Sequence, residues 1–306
     1  MSLVNFSMSG FTRKVSRFNL LVLLSVFLAC TQSSDSRRLE TVSMLGAELH
    51  SDSGGDSLLT GIETKLSAEP NNLSILMEKG SALEGLRRYR EAVEVYTQCL
   101  VIIPESPELL RRRGQRYISL RKLDNAITDL ELAATRHTFV KAENLKYTEN
   151  LNWAIWYYLA LTYYLQADFE KALTAFQRSY DYSADNVSLL ASVNWIHNCL
   201  RRLGRSEEAR QVVEPIKEDM GYSGNYYKCI LVYNGTKTES ETINYDTVKG
   251  FEMCTVGYGM ANFHWVNGDK EIALKIFRQI ITVKQKRFFK IEKIFYKTFL
   301  FLLLLI

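Results

Sequence analysis

A stretch of this chain repeats itself after 34 residues, and this period constrains the fold more than any other feature. Gly80 and Ala92 are followed by Gly114 and Ala126 at that spacing. A glycine inside a helix costs about 1 kcal/mol relative to alanine, so its recurrence indicates a position where two helices approach closely. The period therefore predicts stacked helix-turn-helix pairs, which bury their apolar faces only against their neighbours.

Further positions extend the same pattern. Tyr96 and Leu130 are equivalent and are predicted to fill the contact between the helices of their pairs, while Cys99 is predicted to pack in the core. With these residues the pattern resembles the tetratricopeptide repeat (TPR) family. The resemblance implies an all-α fold, a TPR-like α-solenoid. The residues that carry it are Gly80, Ala92, Tyr96, Cys99 and Pro104 in one copy and Gly114, Tyr117, Ala126 and Ala133 in the next.

Three further copies follow, with interruptions. The polar segment from Thr135 to Asn152 carries no repeat and is predicted to be an insertion between helices. The pattern then returns three times, with small residues at Ala172, Ala209 and Ala273. The sequence therefore predicts about five helix-turn-helix repeats.

The flanks set the boundaries of this repeat region. An apolar helical face that begins after Asp56 and ends before Pro70 predicts a lone helix covering the first repeat. The tyrosine-rich segment 222–233 lies between the fourth and fifth copies, and the Asn234-Gly235 sequence after it favours a helix, with a strand as the alternative. We assign the solenoid to residues 56–285.

Residues 1–29 are predicted to be a signal peptide. Basic residues precede the apolar run Leu20–Leu28, and small Ala29 then precedes Cys30. The Leu-Ala-Cys sequence resembles the lipobox of bacterial lipoproteins, which implies that Cys30 carries lipid and begins the mature chain. A plain signal peptide and an uncleaved anchor are the alternatives, although the apolar run is short of the ~20 residues of a spanning helix. Residues 30–55, rich in Ser, Asp and Gly, are predicted to be a flexible tether.

Residues 286–306 form a tail that does not resemble the repeats. Basic residues punctuate an aromatic segment that ends in the apolar run Leu300–Ile306, which is too short to span a bilayer. A repeat array needs a polar face on its last helix, and this tail offers the opposite. Three interpretations are open: an amphipathic segment on a membrane surface, a buried terminal helix, or a tail altered by a reading-frame change.

Patterns for catalysis or metal binding are missing from the sequence. It contains no Gly-rich phosphate loop, nucleophile elbow or His-Glu-x-x-His motif, and its 4 histidines lack the spacing of metal ligands. His264 takes a position held by tyrosine in other copies and is predicted to pack. We therefore expect no enzymatic activity, cofactor or metal. A net charge of +4, from 38 basic and 34 acidic residues, is too balanced for a nucleic-acid-binding surface.

The TPR resemblance implies a concave face, lined by the first helix of each pair, that binds extended peptides or helices of partner proteins. Rigid aromatic rings and adaptable amides suit such binding, and the alternative is that these residues are solvated or lie between helices. Mapped onto this sequence, the face carries Arg111, Gln115, Tyr157, Tyr164, Asn194, Asn198, Arg201, Tyr258, Asn262 and Trp265.

The predicted function is a protein-interaction scaffold, exported and lipid-anchored at a bacterial envelope, with a protein or peptide partner in the concave groove. Two alternatives stay open. One is an enzyme with its site in the insertion or in the tyrosine-rich segment. The other is a cytosolic TPR adaptor, whose N-terminus would then be an artefact of start-site choice.

Overall fold

The computed structural model of the chain describes residues 37–42, 48–136, 150–248 and 250–282. These ranges contain two short strands and thirteen helices. The strands are β1 (Leu39–Val42) and β2 (Glu48–His50), and the helices are α1 (Asp56–Ala68), α2 (Leu73–Gly85), α3 (Tyr89–Ile102), α4 (Pro107–Ser119), α5 (Leu123–Arg136), α6 (Leu151–Leu165), α7 (Phe169–Asp181), α8 (Asn186–Arg202), α9 (Ser206–Val213), α10 (Asn225–Tyr233), α11 (Glu239–Thr242), α12 (Gly250–Asn267) and α13 (Lys270–Thr282).

Five pairs of consecutive helices are joined by turns of two or three residues: α2 and α3, α4 and α5, α6 and α7, α8 and α9, and α12 and α13. Each turn contains one residue in the left-handed conformation, with φ between 60° and 95°. These residues are Arg87, Arg121, Ala167, Gly204 and Gly268. Turns this short make the two helices of a pair antiparallel neighbours. The predicted succession of five helix-turn-helix pairs is confirmed.

In the first two pairs, a glycine lies against a large side chain of the second helix. A Cβ atom added at Gly80 would lie 2.7 Å from Tyr96 Cε1, and one added at Gly114 would lie 2.8 Å from Leu130 Cγ. Both distances are well below the 3.5–4.0 Å of an ordinary carbon contact, so neither position has room for a side chain. The predicted close approach of these helices is confirmed.

The second helix of each pair places a fully buried alanine in the core. These alanines are Ala92, Ala126, Ala172, Ala209 and Ala273. Cys99 is also fully buried, as predicted. The register of the repeat is therefore the same in all five pairs.

Helix α6 lies in the middle of the largest core cluster. All of its residues except Leu151 and Trp156 are buried. A helix that is apolar on every side is stable only when protein surrounds it. The neighbouring helices α7 and α8 contribute Phe176 and Trp195, whose rings stack with centroids 5.7 Å apart.

The two strands pack on the first helix pairs, which corrects part of the predicted flexible tether at residues 30–55. Strands β1 and β2 are antiparallel. The Arg90 N–H donates to the Glu40 carboxylate at 2.9 Å, and the Thr41 hydroxyl donates to the Leu120 carbonyl at 3.2 Å. These partners lie 50 and 79 residues away in sequence, so the local composition gave no sign of them.

Two other predictions concern the segments between repeats. Helix α10 confirms the helical interpretation of the tyrosine-rich segment over the strand. Helix α5 continues through Arg136 and α6 begins at Leu151, so both ends of the predicted insertion are helical. The rest of that insertion, residues 137–149, lies outside the described residues.

The predicted signal peptide 1–29, the lipidation site Cys30 and the tail 286–306 also lie outside the described residues. None of the described helices is both long enough and apolar enough to cross a membrane.

Candidate partner-binding surfaces

The structure places the predicted concave-face residues mainly in the interior. Eight of the ten side chains are at most 3% exposed, which corrects the expectation that all ten stand in an open groove. These eight are Arg111, Gln115, Tyr157, Tyr164, Asn194, Asn198, Tyr258 and Asn262. Arg201 and Trp265 are half-buried and reach the surface.

Hydrogen bonds between helices far apart in sequence explain this burial for the tyrosines. The Tyr157 and Tyr226 hydroxyls lie 3.0 Å apart, and the Tyr164 and Tyr258 hydroxyls lie 3.1 Å apart. The Trp195 indole N–H also donates to the Tyr157 hydroxyl at 3.1 Å. Helix α6 is thereby joined to α8, α10 and α12. Burial raises the pKa of Tyr258 to about 12, so its hydroxyl keeps its proton at neutral pH.

The buried amides form a second set of contacts. The Asn262 side-chain amide donates to Asn198 Oδ1 at 2.9 Å, and the Arg111 guanidinium donates to Gln115 Oε1 at 3.1 Å. Among the described residues, Asn194 Oδ1 and Gln115 Nε2 are buried without a hydrogen-bond partner. Such atoms are costly unless water or a ligand satisfies them, so this layer keeps unused hydrogen-bonding capacity.

Arg201 and Trp265 lie near the C-terminal ends of α8 and α12. The Arg201 guanidinium donates to Asn267 Oδ1. The Lys270 ammonium lies 5.3 Å from the centre of the Trp265 ring, within the range of a cation–π contact. This pair is the part of the predicted concave face that a partner can reach, and we name it the turn-end patch.

A pocket of about 200 Å³ opens at the other end of these helices, beside the first residues of α6, α8, α10 and α12. We name it the N-terminal pocket. Its apolar lining consists of Trp153, Val187, Leu190, Ala191, Tyr226 and Phe251. Val187 stands at the mouth and is 69% exposed. The Trp153 indole is fixed by a 3.0 Å hydrogen bond to Ser192.

Backbone N–H groups add a polar edge to the N-terminal pocket. Ser223, Gly224 and Asn225 line it, and within the described ranges no side chain caps the start of α10. The first N–H groups of a helix have no partner within the helix and are available to a ligand carbonyl or carboxylate. Sequence reasoning missed this pocket, because its lining comes from four helices that are far apart in sequence.

A larger cavity of about 580 Å³ lies between α5 and α7, above α6. We name it the outer groove. Its floor includes Trp156, Leu159 and Tyr163, and its rims carry Glu131 and Glu170. It faces away from the tyrosine hydrogen bonds and was also missed, because the prediction considered only the opposite side of the first helices.

His197 and His264 both contact partners within the fold. The His197 Nδ1 atom lies 2.9 Å from the Ala209 carbonyl oxygen, and burial lowers the pKa of this imidazole to about 4. His264 Nε2 lies 2.6 Å from Glu239 Oε2, and its Nδ1 lies 3.4 Å from Asp269 Oδ2. His264 therefore belongs to a polar cluster beside α11, which corrects its predicted packing role.

The cysteines and acidic residues show no reactive or metal-binding arrangement in the described ranges. The four cysteines there are free and buried, and burial raises the pKa of Cys229 to about 12. A thiol with so high a pKa is a poor nucleophile at neutral pH. Among the described residues no group of three or more His, Cys, Asp and Glu side chains could hold a metal ion.

Sequence comparison assigns a repeat type to two of these helix pairs. Residues 73–106, which contain α2 and α3, match a tetratricopeptide repeat model, and residues 154–182, in α6 and α7, match another. Both segments are similar to tetratricopeptide repeats. A comparison with curated proteins gave no match.

Comparison with solved structures gave several matches. A tetratricopeptide repeat protein from Parabacteroides merdae ATCC 43184 matches with a TM-score of 0.50 and 13% identity, over 93% of this chain and 99% of that one. MamA matches with a TM-score of 0.44 and 20% identity, over 60% of this chain and 91% of that one. YrrB, described as a TPR protein with an unusual peptide-binding site, matches with a TM-score of 0.43 and 12% identity, over 71% of this chain and 89% of that one. The first likeness confirms the predicted all-α, TPR-like solenoid; at such identity it shows fold alone.

Proposed function

We propose that this chain is a protein-interaction scaffold that binds a peptide or protein partner through the N-terminal pocket. The observation that carries this proposal is an apolar pocket with an exposed mouth, set at the ends of four helices. Binding sites combine a buried apolar centre with a few fixed polar groups, and the backbone N–H groups at the start of α10 supply the latter. The TPR-like repeats support the same class of function.

The pocket suits one apolar side chain of an extended peptide. That side chain would contact Trp153 and Leu190, while a neighbouring carbonyl of the peptide would accept a hydrogen bond from the start of α10. The turn-end patch at Arg201 and Trp265 would provide a second contact for a longer partner.

A random peptide library displayed on phage and selected on the immobilised full chain tests this proposal. We expect the selected peptides to bind Val187→Asp at least thirtyfold more weakly, because an anchor typically contributes 2 kcal/mol or more. Aspartate in the first turn of a helix does not destabilise it. Ile272→Asp is the matched control, since Ile272 is also an exposed apolar residue (48%) in the first turn of its helix. Equal binding by wild type and Val187→Asp would rule out the pocket.

We further propose that the protein is exported and anchored at a bacterial envelope through lipid on Cys30. The basic residues, the apolar run and the Leu-Ala-Cys sequence support this proposal. We expect the protein to incorporate labelled fatty acid and to enter the membrane fraction, and Cys30→Ser to lose both properties. One acyl chain binds membranes only marginally, so stable anchoring requires more than one. An unlabelled soluble product that begins elsewhere would contradict the proposal.

A further inference from the structure

The outer groove lies over one side of α6, on which Trp156 is half-buried and Leu159 and Tyr163 are 3% and 8% exposed. Trp156, Leu159 and Tyr163 are spaced three and four residues apart, so they lie along one side of the helix. The walls contribute small side chains at this depth, Ala134 from α5 and Ala175 from α7. The result is a cavity of about 580 Å³ with an aromatic floor, within the size range of ligand sites.

Carboxylates stand on both rims of this floor. Glu131 on α5 accepts a hydrogen bond from the Tyr163 hydroxyl, which fixes its position. Glu170 on α7 is 69% exposed, and its Oε2 atom lies 3.7 Å from the Arg205 guanidinium. That guanidinium is held more closely by Glu208, at 2.6 Å. Glu131 and Glu170 are both exposed residues, so their carboxylates can meet a ligand.

Among the described lining residues the cation is Lys171, and its position shows how the floor receives positive charge. Its ammonium lies 5.4 Å from the centre of the Tyr163 ring, in cation–π geometry. The same ammonium is 3.4 Å from Asp168 Oδ2, so its charge is already balanced. The charge that the groove presents to a ligand is therefore negative.

We propose that the outer groove is a second binding site, one that takes a lysine or arginine side chain of a protein partner together with an adjacent apolar side chain. The apolar side chain packs on Trp156 and Leu159, and the cation lies between Glu131 and Glu170. Phosphate, nucleic acid and acidic peptides are repelled by the same carboxylates. This site is on the other side of α6 from the tyrosine hydrogen bonds, and it does not depend on the N-terminal pocket.

Three synthetic octapeptides test the proposal on the full-length protein by isothermal titration calorimetry. Each has an acetylated N-terminus and an amidated C-terminus, and leucine alternates with arginine, glutamine or glutamate at its centre. We expect the arginine peptide to bind about tenfold more tightly than the glutamine peptide, and the glutamate peptide to bind more weakly still. Raising the salt concentration should reduce the difference, because the rim carboxylates are exposed.

Two sets of variants locate the binding. Glu131→Gln with Glu170→Gln should lower the affinity for the arginine peptide to that for the glutamine peptide. Glu94→Gln with Glu108→Gln, a matched pair of exposed glutamates on α3 and α4, should leave it unchanged. Truncating Trp156 would remove packing in the core as well as the floor of the groove. A tryptophan at the exposed rim, Thr174→Trp, blocks the groove instead. It should abolish binding without changing the unfolding temperature.

The proposal would be overturned if the arginine peptide did not bind at millimolar concentration, or if the arginine and glutamine peptides bound with equal affinity. Undiminished binding by Thr174→Trp would overturn it too. Loss of binding in the control pair equal to that in the rim pair would also overturn it, because the effect would then be general electrostatic attraction.

Discussion

The first two helix pairs and the later pairs are held together in different ways. In the first two, a glycine of one helix receives a large side chain of the next, and the contacting residues are 16 apart in sequence, as in Gly80 with Tyr96. In the later pairs, hydroxyls that are 69 and 94 residues apart meet inside the protein, as in Tyr164 with Tyr258. The early region is a stack of neighbours, whereas the later region is closed by contacts that pass over a whole repeat.

The buried polar groups of the two regions also differ, because they are charged in the early region and mainly neutral in the later one. The early region buries charge: Arg116 is 2% exposed, its guanidinium lies 3.5 Å from the Glu84 carboxylate, and the Tyr96 hydroxyl donates to that carboxylate at 3.0 Å. The later region buries mainly hydroxyls, amides and the His197 imidazole, in neutral form. Breaking a buried ion pair leaves an unpaired charge, whereas the neutral network is sensitive to any change that introduces charge.

The largest effect is expected from a charge placed in the local stack. Ala126→Arg forces a guanidinium into a fully buried helix contact of α5 and should lower the free energy of unfolding by about 3 kcal/mol or more. Asn125→Arg, the exposed neighbour on the same helix, should change it by less than about 0.5 kcal/mol. Thermal or urea unfolding measures both. Equal unfolding midpoints for the two variants would show that the repeat register is wrong.

Acid should weaken the later region through His197. The pKa of this imidazole is 6.5 in the unfolded chain and about 4 in the folded protein, so only the unfolded state binds the proton between these values. The neutral imidazole contributes fully to the free energy of unfolding above pH 6.5. About 3 kcal/mol of this free energy is lost as the pH falls to 4.

Urea unfolding between pH 7 and 4 tests this pH dependence. His197→Asn, whose amide can still donate to the Ala209 carbonyl, should give a flatter stability curve than the wild type. Parallel curves for the wild type and His197→Asn would contradict the burial of this imidazole.

Two turns of the later region should show that backbone conformation alone sets their stability. Ala167 and Gly204 occupy the same left-handed turn position, with φ of 60° and 75°, and a Cβ atom at Gly204 would contact nothing within 4 Å. Backbone strain alone therefore decides the outcome: Ala167→Gly should raise the free energy of unfolding by up to about 1 kcal/mol, and Gly204→Ala should lower it by about 1 kcal/mol. Shifts of the same sign would mean that side-chain contacts, and not backbone strain, govern these turns.

The contrast between regions also explains what the sequence could predict. The alanine positions and the glycine contacts are local, since each repeat encodes its own helix pair, and the 34-residue period therefore identified Gly114 opposite Leu130. The burial of Tyr157 and Tyr164 could not be predicted in the same way. Their partners, Tyr226 and Tyr258, lie beyond the next repeat, and no short-range period records a contact of that length.

The candidate surfaces depend on this same non-local information. A TPR-like pattern predicted that the first helices face an open groove, but the later helices of this chain cover much of that side. What stays accessible is the turn-end patch at Trp265, the mouth of the N-terminal pocket at Val187 and the outer groove over Trp156. The strand β1 illustrates the same limit, because Glu40 is buried only through its contact with Arg90.

The central claim is that α6 and α12 meet inside the later region, so that the predicted groove between them is closed. A double-mutant cycle with Tyr164→Phe and Tyr258→Phe, followed by urea unfolding of the full chain, tests it most directly. Because the two hydroxyls share one buried hydrogen bond, we expect a coupling energy of about 1 kcal/mol, with the double variant less destabilised than the sum of the single variants. A coupling energy of zero, with both single variants near wild-type stability, would mean that the hydroxyls face solvent and that the groove is open.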